Sequence, residues 1–211
     1  MTDALWYTGR GTGVMTLVLL SIVVALGIAA RDGRTAFGLP RFVVNLVHRN
    51  AALLALTMLL IHVVTLLFDP YAKLTPLDLI VPFAGDRRPF WLGLGTLALD
   101  TLAAIAITTA LRHRLGVRTW RIVHWLAYLS WPLALLHGIQ TGTDARAWWM
   151  WTIVAACGAL VLAAVAWRLS PNFGRPRLRR YGHSTVPPSR PARTSVQAVP
   201  RSRVVLPGDP G

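Results

Sequence analysis

The stretch HRNAALLALTMLLIH, residues 48–62, decides how this chain is read, and HWLAYLSWPLALLH, residues 124–137, repeats its design. Each is an apolar run bounded by histidines, His48 and His62 in the first and His124 and His137 in the second. At a rise of about 1.5 Å per residue each pair spans about 20 Å of helix, which sets one histidine near each face of a hydrocarbon core about 30 Å thick. A histidine at that depth is costly, and its ordinary uses are as a hydrogen-bonded packing residue or a proton relay. Near-equal spacing on two spans that run in the same direction points instead to paired ligation at two depths.

Composition supports the membrane setting. The 211 residues are 54% hydrophobic, the mean hydropathy is +0.50 and only 14% are charged, so long uninterrupted apolar runs dominate. Nine tryptophans suit interfacial aromatic belts. The net charge of +14 comes from 22 basic residues against 8 aspartates, with no glutamate. Such a balance can signal nucleic acid, but these cations fall in connections and in the C-terminal region. Anionic lipid and the positive-inside rule account for them, so membrane lipid and no nucleic acid is the expected partner. The single cysteine, Cys157, lies in an apolar run and excludes an internal disulfide or a cysteine-ligated cluster.

Taken in order, residues 1–12 form a short outer N-terminus and Val14–Ala30 the first span. Gly9 and Gly13 make a GxxxG at its mouth, where that pattern carries little weight. A second span covers Phe42–Phe68 with the first histidine pair. Residues 69–89 form an outer loop whose LDLIVPF portion is too short to cross and is expected at the interface. The third span, Phe90–Leu111, contains Asp100, an acid that is costly unless it faces the bundle interior. The connection RHRLGVRTWR leads to a fourth span, Trp120–Gln140, with the second pair, and a fifth, Trp148–Trp167. Basic residues number four in the first inner loop, four in the second and nine from Arg168 onward, against five in the outer segments. The expected architecture is therefore an all-α, five-span, multi-pass cell-membrane bundle, N-terminus outside and C-terminus cytoplasmic. Its domain covers residues 13–168, and a disordered basic tail covers 169–211.

Iron in a b-type haem takes one imidazole on each axial face, so four histidines at two depths match two haems b. The inner one would use His48 and His124, the outer one His62 and His137. Arg49 and Arg121 adjoin the inner ligands as expected propionate partners, with Arg87, Arg88 and Arg146 near the outer ones. Trp125, Tyr128 and Trp131 fill either the space between the centres or the bundle core. At 100° per residue, fourteen residues keep His48 and His62 on one face, whereas thirteen leave His124 and His137 about 140° apart. Pro132 removes the hydrogen bond to the Tyr128 carbonyl, so a kink or tightened turn is expected between Tyr128 and Leu133.

These histidine pairs, RPFWLGLG at residues 88–95 and LRHRLGVRTWRIVHWLAYLSWPLALLHG at 111–138 resemble the ferric reductase-like transmembrane domain superfamily over roughly residues 14–165. That superfamily includes ferric reductases, NADPH oxidases and the haem-binding membrane subunit of bacterial methionine-sulfoxide repair. The resemblance implies haem ligation through His48, His62, His124 and His137 and electron transfer across the membrane. The chain departs from the fused reductases in having neither their flavin and nicotinamide domains nor a GxGxxG after a strand pattern, so it resembles the stand-alone members. The expected function is electron transfer from a separate flavoprotein or quinol donor to an external acceptor, an outside reductase partner among the candidates. The rival reading is a haem-free channel, transporter or scaffold using the histidines as a proton relay. Deleting residues 175–211 is expected to leave membrane insertion and haem content intact, as membrane fractionation and absorbance of the truncated chain would show.

Overall fold

The computed structural model describes residues 2–31, 40–85, 88–142, 147–171 and 173. Six helices make up this part: α1 (Thr2–Arg31), α2 (Arg41–Leu67), α3 (Pro89–Ala110), α4 (Arg112–His124), α5 (Ala127–Thr141) and α6 (Trp148–Leu169). No strand occurs among the described residues. Four helices, α1, α2, α3 and α6, are long and apolar enough to cross a membrane, and the bent pair α4 and α5 makes a fifth span when counted as one. Most of the tail, from residue 174 on, and the Arg87 and Arg146 positions lie outside the described residues.

The first helix is the hub. It packs against α2, α5 and α6, while α3 packs against α4 and α5. Leu17, Leu20, Val24 and Ile28 are buried on α1 at spacings of three and four residues, the stripe a helix presents to its neighbours. Val24 and Ile28 join Val161 of α6 in one cluster, against which Tyr128, Trp131, Val165 and Phe173 pack. Two of the aromatic residues of the fourth span thus belong to the bundle core. Trp131 also donates from Nε1 to the Ser21 hydroxyl at 2.8 Å, and Ser21 in turn donates to the Leu17 carbonyl. Both groups are removed from lipid by this arrangement, which is what a polar pair between helices requires.

α1 begins a dozen residues before the apolar span expected from the sequence, carrying the glycine-rich GRGTG within it. Glycine weakens a helix by about 1 kcal/mol relative to alanine, yet here it admits a close crossing. A Cβ on Gly9 would stand 2.9 Å from the Leu66 side chain, so this end of α1 lies directly on α2. The GxxxG at residues 9–13 is therefore a packing feature, more consequential than its position suggested.

The basic connection after α3 is helical instead of a loop, broken at Gly116, whose φ of 78° and ψ of 157° suit glycine alone. Farther on, α4 and α5 meet at a 47° bend. The amides of Leu126, Tyr128 and Leu129 bond to carbonyls three residues back, at 2.9, 3.1 and 2.9 Å. These tightened turns run from Val123 to Leu129, so they begin upstream of the expected Tyr128–Leu133 interval and overlap its start. A proline ring crowds the carbonyl four residues earlier, here Tyr128, so the turn that yields is the one leading into Tyr128, while α5 continues through Pro132. Three such residues recover about 60° of the missing rotation.

The loop between α2 and α3 is pinned to α3. Asp78 accepts from the amide and hydroxyl of Thr75 at 2.8 and 2.9 Å, and its carbonyl accepts from the Thr96 hydroxyl at 2.7 Å. Phe83 lies over Gly93 and stacks on Phe90 at 6.1 Å between ring centres. Exposed Leu77, Ile80 and Val81 complete an apolar outer surface, as an interfacial segment should have.

Replacing Trp131 with phenylalanine is expected to cost about 0.5–1.5 kcal/mol, the range for interhelical hydrogen bonds in membranes. Equilibrium unfolding of the detergent-solubilised variant checks this.

Candidate functional site

The four histidines of the two apolar stretches all enter the bundle, and three of them do so in the same manner. His48 donates from Nδ1 to the Val23 carbonyl at 3.0 Å, His62 to the Gly9 carbonyl at 2.6 Å, and His137 to the Trp91 carbonyl at 2.8 Å. A carbonyl can only accept, so in each case Nδ1 carries the proton and Nε2 keeps the lone pair that a metal ligand uses. Fourteen residues separate the two histidines on α2, and fourteen separate the two carbonyls that receive them on α1. That match is what two regular antiparallel helices produce. Val44, His48, Ala55 and His62 form one stripe of α2, with the small Ala55 buried midway against α1.

His124 stands at the end of α4, just before the bend. Its ring centre lies 6.4 Å from that of His48, with the planes at 67°, and 5.1 Å from that of Trp120. Its Nδ1 is buried and without a hydrogen-bond partner among the described residues. His137, at the other end of the same broken span, lies within electrostatic reach of His62. The helices carrying the pairs are not packed on each other as α1 and α2 are.

Among the described residues no group of three or more His, Cys, Asp or Glu side chains converges on a point. The histidines are instead related two by two, His48 to His124 by ring contact and His62 to His137 electrostatically.

Cations remote in sequence also gather at the bend. Arg49 and Arg121 are both exposed. Arg31 and Arg168, from the far ends of α1 and α6, lie over the Trp125 ring at 5.7 and 4.6 Å, and Arg168 also lies 5.1 Å over Tyr128 and donates to its hydroxyl. Arg31 interacts electrostatically with His124. The packing of α1 and α6 on the bend thus adds Arg31, itself exposed, and Arg168 to the cations near this end of the fourth span. His113 is exposed on α4, away from both pairs. A cavity of about 330 Å³ between the α2–α3 loop and α3, lined by Lys73, Asp78 and Leu92 among others, touches none of the histidines.

Residues 12–135 match the family model described as ferric reductase like transmembrane component. The chain belongs to this family. The match contains His48, His62 and His124 and ends two residues before His137, within the span that carries it. No curated protein and no solved structure matches the chain. The ferric reductase-like match thus runs from within α1 into α5 and leaves out α6.

Asp100 does not face that site. It is exposed, and at 100° per residue it sits about 140° around α3 from Gly95, which contacts His137. An acid on this face raises the cost of inserting α3, by about 2.5–3.5 kcal/mol at a span's centre. Asp100→Leu is expected to increase the inserted fraction of α3 in a glycosylation-mapping assay, leaving the histidine geometry unchanged.

Proposed function

We propose that this chain carries electrons across a membrane through two haems b, an inner one on His48 and His124 and an outer one on His62 and His137. The observation that carries the reading is the opposed inner pair. Imidazole nitrogens bind metals at about 2 Å and lie about 1 Å from their ring centres, so two rings on opposite faces of one ion have centres about 6 Å apart. The 6.4 Å between His48 and His124 fits that arrangement. Three Nε2 lone pairs are made available by Nδ1–H bonds to carbonyls, the usual outer-shell partner of a ligating histidine.

His48 with His124 and His62 with His137 would hold the two haems, which would supply one-electron transfer when bound. The chain's part is to hold the rings. α1 orients His48 and His62 along one face of α2, α3 orients His137, and His124 stands beside His48 just before the bend. Arg31 and Arg168 supply positive charge at the inner end, available to propionates. The excess of cations in the connections on one side supports an N-terminus outside and a cytoplasmic C-terminus. A separate flavoprotein or membrane quinol is the proposed donor, and ferric iron, oxygen or an external reductase the proposed acceptor.

The dithionite-reduced absorbance spectrum of purified protein is expected to show b-type bands equivalent to about two haems per chain. Their absence would favour a haem-free channel, transporter or scaffold with the histidines as proton relays. Alanine at His62 or His137 is expected to remove the outer haem and leave the inner one, and alanine at His48 or His124 to do the reverse. Loss of the same centre from His48→Ala and His137→Ala would overturn the pairing.

A further inference from the structure

Three glycines share one relation to the histidines. In an α-helix the carbonyl of residue i lies alongside the side chain of residue i+4, so that side chain controls access to the oxygen from outside the helix. The carbonyl of Gly9 receives His62, and four residues on is Gly13; the carbonyl of Val23 receives His48, and four on is Gly27; the carbonyl of Trp91 receives His137, and four on is Gly95. A Cβ on Gly13 would stand 2.8 Å from the His62 ring, one on Gly27 3.3 Å from His48, and one on Gly95 2.5 Å from His137. By contrast, Gly11 and Gly158, also helical, have nothing within 4 Å of that position.

We infer that Gly13, Gly27 and Gly95 are positioning residues, each forming with the carbonyl four residues earlier a seat that fixes the plane and the protonated nitrogen of one histidine. The inference rests on the haem reading above and adds residues that bind nothing themselves. Without a side chain at i+4, the imidazole edge lies flat on the helix and its Nδ1–H reaches the second lone pair of a carbonyl in the ladder. That bond fixes Nε2 as the free nitrogen and makes it a stronger donor. Two seats lie on α1 and one on α3. His124 has no such seat, its Nδ1 being unpartnered, so the inner pair is built from one seated and one unseated ring.

The distances rank the consequences. At 2.5 and 2.8 Å a methyl group cannot coexist with the ring, so Gly95→Ala and Gly13→Ala each expel their histidine from the seat. At 3.3 Å the ring has only to shift, so Gly27→Ala keeps its histidine but weakens the bond to Val23. A weaker donor at Nε2 stabilises ferric iron less, and the inner midpoint potential rises.

The experiment is an alanine series at residues 13, 27 and 95 of the full-length protein, with Gly11→Ala and Gly158→Ala as controls. Haem per chain, the electron paramagnetic resonance spectrum of the oxidised protein and redox titration are the readouts. Loss or a changed spectrum of the outer centre in Gly13→Ala and Gly95→Ala, a raised inner potential in Gly27→Ala and wild-type behaviour in both controls support the seats. Seat variants that match the controls, in a protein that binds two haems, overturn the inference; a wild type with no haem bands overturns the parent reading instead. Thermal unfolding adds a haem-independent arm for a poorly folding Gly95→Ala. If the seat is right, the loss of stability disappears when His137 is also changed to alanine, because the ring that clashed is gone. An equal loss in both backgrounds overturns it.

Discussion

A helix carbonyl that already holds its i+4 amide still has a lone pair, and in this molecule that lone pair sets the whole arrangement. Burying an imidazole in a membrane bundle without a partner for its N–H costs several kcal/mol. Val23, Gly9 and Trp91 provide the partner from backbones already committed to helix, so no further polar side chain has to be buried. The bond acts on several levels at once. It holds α2 on α1 at two points and α5 on α3 at one, it selects the tautomer of each ring, and it leaves Nε2 as the nitrogen with the free lone pair.

The same constraint explains why α1 is central. A helix that must offer two carbonyls to α2 and a hydrophobic stripe to α6 needs small residues on one side and branched ones on the other. Gly9, Gly13 and Gly27 lie toward α2, and Val24 and Ile28 pack with Val161. The N-terminal end of α1 extends into the glycine-rich segment because the crossing with α2 continues there. At its C-terminal end, Arg31 reaches Trp125 at the bend, as does Arg168 of α6. Cationic charge thus collects beside His124 from the ends of two helices remote in sequence, an arrangement suited to anionic groups in a low-dielectric setting.

Much of this was legible before any coordinates. The apolar runs and their lengths gave the spans to within a few residues for α2, α3 and α6, since hydrocarbon thickness fixes how many residues a crossing needs. The fourteen-residue interval placed His48 and His62 on one face, and the thirteen-residue interval demanded a distortion in the fourth span. The place of that distortion was not legible, because proline strain can be relieved anywhere in the preceding turns and the packing around Trp125 and Tyr128 decides where. Asp100 was likewise ambiguous, since its depth is a matter of sequence but its direction depends on which face of α3 meets α5.

The sequence by itself determined the class of the molecule, the number of crossings within one and the four histidines at two depths, because bilayer thickness and helical rise are independent of the fold. Only the tertiary structure decided which carbonyl holds His48, His62 and His137, which nitrogen of each is thereby protonated and which arginines gather over Trp125. Those depend on contacts between residues as distant as His62 and Gly9 or Trp125 and Arg168. The three glycines show the difference most sharply: along the chain they are weak points in helices, and only once a histidine from another helix lies against each does the absence of a side chain acquire its meaning.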